Sequence, residues 1–195
     1  MPVIFLEDTT GFLPGREQEH RGIVQAGRAM LDAIVDLRTP RFLILIRNAF
    51  GGAYASYNNY PTGADLVVAL PTTRVAVMGP AGVEYVYKDE LKAIRAEIHK
   101  RTADTKADLV DQGMSDADAD YHASAVASEW AKVAEADLAK RYEREIMNPE
   151  EALSLGSVSQ IVIPSDLRAV IAKHLMFCLR HYTPEPMGGM QREFH

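Results

Sequence analysis

Phe42-Leu43-Ile44-Leu45-Ile46 is apolar at every position. A run of this length without polar alternation makes a strand buried on both faces, the condition of a central strand in a parallel sheet. Parallel strands need crossover helices, and the flanking sequence supplies them. Upstream, Val3 to Leu6 is a second apolar run and predicts another strand covered on both faces. Glu7 to Gly15 follows as a loop punctuated by Gly11, Pro14 and Gly15. From Glu17 to Leu37, the residues Ile23, Val24, Gly27, Met30, Leu31, Ile34 and Val35 recur at helical spacing. Thr39-Pro40 ends that helix, because the residue before a proline is pushed out of the helical region. Downstream, Arg47 to Tyr54 turns out of the central strand, with a short helix starting near Gly52. Leu66 to Leu70 and Val75 to Met78 predict two more buried strands. The alternation points to an α/β fold of right-handed crossover units.

The character changes after Gly82. Residues 84–144 alternate charge with alanine and carry no strand signal. They predict two or three helices broken near Gln112-Gly113, a hairpin for packing or for an interface. Ser115 is placed to cap the second helix, with acidic residues in its first turn. Ala125, Trp130, Val133, Leu138 and Tyr142 are the expected inner side. Asn148-Pro149 then opens a short helix that Gly156 ends. Gln160 to Ile163 is a last strand, and Pro164-Ser165-Asp166 starts a helix to about Arg180, with Ser165 as its cap. The expected division is a core over 1–90, a helical insertion over 91–145, the closing strand and helices over 146–183, and an irregular tail over 184–195.

The chain has 195 residues, 47% of them apolar and 25% charged, with a net charge of −6. That suits one domain, or one compact domain with an appended lobe, and argues mildly against a nucleic-acid partner, which prefers a basic face. A mild negative balance also simply maintains solubility. Cys178 is the single cysteine, so no internal disulfide forms and a cytoplasmic location fits. Its apolar surroundings, Leu175 to Leu179, mark a buried structural thiol rather than a nucleophile. No run reaches the roughly 18 apolar residues of a membrane span, and the N-terminus lacks the basic segment and apolar core of a signal peptide. No P-loop occurs, which argues against a P-loop kinase; no paired Cys/His spacing occurs, so no metal site is expected; and there is no Gly-x-Ser-x-Gly nucleophile elbow.

Three segments could carry chemistry. Ala49-Phe50-Gly51-Gly52-Ala53-Tyr54 leaves a buried strand and enters a helix. Its glycines allow unusual backbone angles and close ligand approach. A helix start leaves N–H groups unpaired, which suits a developing oxyanion. Gly-Gly-Ala also occurs in many plain turns, so the motif alone is weak. Met78-Gly79-Pro80-Ala81-Gly82 reads either as a second helix start or as a structural turn. Asp8 to Gly15, with Glu17, Glu19 and His20 after it, lies where a strand ends in an ordered loop, a usual place for ligands in open α/β sheets. His20 could serve as acid or base, although a lone histidine there is more often a surface residue.

Several of these segments together resemble the acyl-CoA carboxylase β-subunit family, which includes propionyl-CoA and methylcrotonyl-CoA carboxylases. Pro2 to Gly15 resembles its strand and loop, and Glu19-His20-Arg21-Gly22-Ile23 the helix start after it. Thr39-Pro40-Arg41 is also similar. Arg47-Asn48-Ala49-Phe50-Gly51-Gly52-Ala53-Tyr54 resembles the family's Arg-x-Ala-Tyr-Gly-Gly-Ala-Tyr. Ala76 to Pro80 and Asn148-Pro149 to Gly156 follow in the same order. The resemblance implies a crotonase-like fold of β-β-α units, here as a partial domain carrying a helical hairpin. It matches the second, biotin-facing of the family's two domains.

The activity implied is carboxyl transfer between carboxybiotin and an acyl-CoA. The backbone of Gly52 and Ala53 would stabilise the biotin carbonyl as its ureido ring takes on enolate-like charge. Phe50, Gly51, Tyr54, Ala55 and Gly79 are implied in substrate binding, with Ala55 small enough to leave room for a bulkier acyl group. No biotin-attachment sequence is present, so biotin is expected on a carrier protein. Three departures stand out. Phe50 replaces a tyrosine. The helical stretch from Leu91 to Arg144 is longer than in propionyl-CoA enzymes and resembles insertions of glutaconyl-CoA decarboxylase types. The family's strands before Val3 and its acyl-CoA domain are absent, which implies one piece of a split enzyme or a truncated product, completed by a complementary chain in an oligomer. A decarboxylase subunit and a non-catalytic assembly module are the alternatives.

Overall fold

The computed structural model describes residues 1–13 and 15–183; Pro14 and the expected tail at 184–195 lie outside the described residues. In chain order the elements are β1 (Val3–Thr9), α1 (Arg16–His20), α2 (Ile23–Val35), β2 (Arg41–Phe50), α3 (Gly51–Ser56), β3 (Leu66–Ala69), β4 (Arg74–Ala76), α4 (Val83–Val86), α5 (Lys88–Asp111), α6 (Asp116–Glu145), α7 (Pro149–Ser154), β5 (Gln160–Ile161) and α8 (Pro164–His181). They separate into two compact units, Met1–Val77 with the segment from Asn148 onward, and Met78–Met147.

The first unit is built on β2. It pairs in parallel with β1 from Val3↔Arg41 to Thr9↔Ala49. It also pairs in parallel with β3 from Phe42↔Leu66 to Leu45↔Ala69, and beyond that with β4 from Asn48↔Arg74 to Phe50↔Ala76. β5 lies parallel beside β3. Phe42 to Leu45 are at most 1% exposed, as an uninterrupted apolar run requires. Leu43 and Leu45 join Val67, Ala69, Val75, Ala152 and Val158 in one layer, with Phe5, Tyr54 and Tyr60 packed on it. Phe42, Leu66, Val68 and Val162 fill the other, under Leu167, Val170, Ile171 and Leu175 of α8. Each large aliphatic or aromatic side chain so buried contributes roughly 1.5–3 kcal/mol.

Some expectations are corrected. β1 is covered on one face only, and it is the edge strand among those described. Ile4 and Leu6 point outward, 45% and 67% exposed. The strand also continues through Glu7 and Asp8 to Thr9, where a loop was expected. The helix expected over 17–37 breaks at Gly22, which is left-handed at φ 80°. On α2 only Ile34 is fully buried, whereas Val24 and Val35 are exposed. Ile163, not Ser165, caps α8: Pro164 already occupies the first turn, and Ser165 Oγ donates to Asp166 instead. Cys178 is only partly buried against α8's core layer, and that burial pushes its thiol up. Arg41 is buried and donates from Nη1 to the carbonyls of Ile34 and Thr62, tying the end of α2 to the start of β2.

The second unit is a helical hairpin. Ser115 caps α6 as expected, accepting from the Asp118 N–H at 3.3 Å. The inner side differs from expectation. Ala119, Ala123, Ala127 and Ala131 are buried one turn apart, whereas Ala125 and Val133 are exposed. Small side chains let two helices approach closely, which selects alanine over larger residues at the contact. Trp130 is half-buried beneath the Arg101 guanidinium, 4.1 Å from its ring centroid. Tyr142 is buried and donates to the Met78 carbonyl at 2.9 Å.

Candidate functional site

The ends of β1 and β2 are fastened together by Asp8. Its carboxylate accepts from the backbone N–H of Asn48 at 3.1 Å and from Asn48 Nδ2 at 3.0 Å. It also pairs with Arg47 at 2.8 Å. The hydrogen bond from Arg47 is the main reason that its carboxyl sits below the usual range. Asn48 Oδ1 in turn accepts from Arg74 Nε at 3.1 Å, which brings β4 into the same lock. The sequence reading missed this lock; a polar pair, Asp8 and Asn48, at matching strand ends was its only signal.

Two residues after Asn48 the chain turns out of β2. Phe50 is buried and extended, at φ −116° and ψ 134°, and stands as the N-cap of α3. Gly51 follows with φ 61°, and a Cβ there would lie 3.0 Å from the Val77 carbonyl oxygen. Both the angle and the space therefore demand glycine. Gly52 has no positive φ and open space at its Cβ position, with Phe12 the nearest contact at 4.0 Å. Ala53 is buried, and Tyr54 enters the core layer, donating to the Ser157 carbonyl at 3.2 Å. Burial first, then the nearby Glu7 and Tyr60, push the Tyr54 phenol up to about 12. Ser56 Oγ donates back to the Gly52 carbonyl at 2.8 Å and steadies the turn.

This start of α3 borders an apolar cleft of about 370 Å³. Phe12, Ile23, Gly27, Leu31 and Gly52 line it, and Arg28, held by Asp32 at 2.8 Å, stands on its wall. Gly27 allows the Phe12 ring to lie directly on α2, 3.4 Å from where a Cβ would be. The structure thus groups Phe50, Gly51, Gly52, Ala53 and Tyr54 in one turn. Ala55 is on the same helix and exposed. Gly79 precedes a 3-10 turn at Pro80–Gly82 in the second unit. His20 is exposed at the end of α1. Among the described residues, no group of three His, Cys, Asp or Glu could hold a metal. Nor is any helix among them long and apolar enough to cross a membrane.

A parallel sheet that presents a glycine helix start at the end of its central strand, beside a small apolar cleft, defines an α/β domain with a site lined by backbone. Residues 1–185 match the family model of the carboxyl transferase domain, and the chain belongs to that family. It is 32% identical over 188 residues to a putative propionyl-CoA carboxylase beta chain of Bacillus subtilis, covering 95% of this chain and 30% of that one. A stretch of 93 residues, 47% of this chain and 18% of the other, is 40% identical to the methylmalonyl-CoA decarboxylase subunit alpha of Propionigenium modestum. The crystal structure of transcarboxylase 12S with hydrolysed methylmalonyl-CoA bound superposes with a TM-score of 0.69 at 26% identity, over 98% of this chain and 30% of that one. The crotonase-like fold expected from the sequence is the fold observed. The chain spans about a third or less of the length of these relatives.

Proposed function

We propose that this chain is the biotin-facing component of a carboxyltransferase that moves a carboxyl group between carboxybiotin and an acyl-CoA, completed by a complementary chain. The observation that carries the reading is the Gly51-Gly52 turn opening on the apolar cleft. Gly52 lines that cleft without a side chain, so a flat ring can reach the backbone. Biotin has this shape: apolar ring faces and one ureido carbonyl. When docked on its carrier it supplies the transferable carboxyl group. The N–H groups of Gly52 and Ala53, in the first turn of α3, have no partner within the helix and are assigned to that carbonyl. Phe12 and Leu31 give the cleft its apolar wall. Gly51 and Phe50 set the turn, and Tyr54 anchors it to the core. Ala55, exposed beside them, leaves space for the acyl group, and Gly79 is assigned to substrate binding from the resemblance alone. The partners are the complementary half and a biotin carrier, in an oligomer working in the cytoplasm, where a lone thiol persists.

The test is reconstitution. The chain is combined with an acyl-CoA-binding chain of the family, and carboxylation of propionyl-CoA is measured. The expected result is activity only in the complex, reduced by Gly52→Val, whose side chain fills the cleft and bars the carbonyl from the backbone N–H groups; complete loss of access to one oxyanion donor costs roughly 10²–10³-fold. Full activity of the chain alone overturns the need for a partner. Unchanged activity in Gly52→Val points instead to a non-catalytic assembly module. A second reading, a decarboxylase subunit, is favoured by the 40% identical stretch; acyl-CoA decarboxylation coupled to a membrane partner identifies it.

A further inference from the structure

Glu7 occupies an unusual position for a carboxylate. It lies on β1 opposite Leu45 of β2 and is 3% exposed. The alternation of β1 turns it inward, like Phe5, towards the layer of Leu43, Leu45, Tyr54 and Tyr60. α3 packs on β1. Neither carboxyl oxygen has a hydrogen-bond partner among the described residues. The titratable group in that layer that the Glu7 charge reaches is Tyr54, whose phenol burial pushes up to about 12, and Tyr60 packs on the same layer. Asp8 and Arg47, at the end of the same strand pair, neutralise one another. Asn58 and Asn59, just beyond α3, are also buried with polar atoms unpartnered. A carboxylate buried without a partner is strongly disfavoured, so the neutral acid is the form that this layer accepts. Burial accordingly pushes Glu7 up to about 8.

We propose that Glu7 is a positioning residue for α3, a carboxylic acid whose neutral form lets the helix seat on the sheet and whose ionisation shifts its first turn. An ionised Glu7 finds no cation in the layer that Tyr54 enters. The available relief is hydration, and the element that can yield to admit water is the six-residue α3, fixed by Tyr54 and the Phe50-Gly51 turn. Any catalytic consequence rests on the reading that α3 carries the oxyanion donors; the seating of α3 does not.

The experiment follows the full chain by NMR from about pH 5 to about pH 10. It reads the Glu7 side-chain carboxyl carbon together with the amide signals of Gly51, Gly52, Ala53 and Tyr54. The expected result is a Glu7 midpoint near 8, the α3 amides moving with that same midpoint, and flat α3 amides in Glu7→Gln. A Glu7 midpoint in the ordinary carboxylate range, or α3 amides that ignore the titration, overturns the proposal. Should Glu7→Gln fail to fold, the wild-type titration decides the matter by itself. In the reconstituted complex, kcat is expected to fall with the same midpoint at unchanged KM, and to lose that limb in Glu7→Gln. Amides that titrate while kcat does not support the positioning of α3 and count against the oxyanion reading.

Discussion

Gly51 and Gly52 are neighbours with opposite demands. Gly51 needs its missing side chain for the fold, since it combines φ 61° with a backbone oxygen 3.0 Å from the Cβ position. Gly51→Ala is expected to cost at least about 1–2 kcal/mol from the left-handed angle, read as a lowered urea midpoint. Gly52 has neither constraint. Gly52→Ala is therefore expected to leave stability within about 0.5 kcal/mol while lowering carboxyl transfer, because its methyl enters the cleft. Equal loss of stability in both variants would show that the second glycine is structural too. Glu7 supplies a prediction with a definite sign. Its folded value of about 8 exceeds the ordinary 4.5, so between these limits the folded chain holds a proton that the unfolded chain has released. Its contribution to stability is full below pH 4.5, declines up to about pH 8 and is level above. Unfolding free energies of wild type and Glu7→Gln should diverge across that window in favour of the variant. A constant difference from acid to alkaline pH contradicts it.

At the scale of elements, the α5–α6 hairpin is joined by an alanine stripe at every fourth residue. Ala123→Leu or Ala127→Leu forces the helices apart and is expected to cost about 1–3 kcal/mol. Ala125→Leu, on the exposed side, should be nearly neutral; thermal unfolding of the three variants checks the contrast. The stripe was illegible in sequence because alanine differs little in hydropathy from its neighbours, and the eye is drawn to Val133, which the structure leaves exposed. β2 was legible for the opposite reason: a strand buried on both faces leaves no polar position. β1 carries a similar apolar start but is an edge strand, and being covered is a property of its neighbours rather than of its residues. Glu7 was read as loop because an acid ends an apolar run by default; only the register opposite Leu45 turns it inward. The Gly51-Gly52 turn was visible as a turn, yet its chemistry came from the order of flanking segments, since two glycines alone do not specify a ligand.

For the molecule as a whole, the two units are held by different physics. The sheet unit has a core of fully buried Phe, Leu, Ile and Val on both faces of β2 and β3. The hairpin unit buries mainly alanines and Tyr87, Leu91 and Tyr142. Its ion pairs, such as Arg101–Glu97 and Lys140–Asp137, are solvent-exposed, and pairs of that kind are worth about 0–1 kcal/mol each. Opening free energy tracks the apolar burial that must be undone. In native-state hydrogen exchange, the amides of Leu43 to Leu45 and Val67 to Val68 should exchange slowest, through global unfolding alone. Amides in the middle of α5 and α6 should open at lower free energy, even though both are long, regular helices. Because alanine burial supplies little of the hairpin's stability, modest urea should widen this gap before the sheet amides respond. Hairpin amides protected as strongly as those of β2 would mean that the thin alanine contact is reinforced by packing beyond the unit itself.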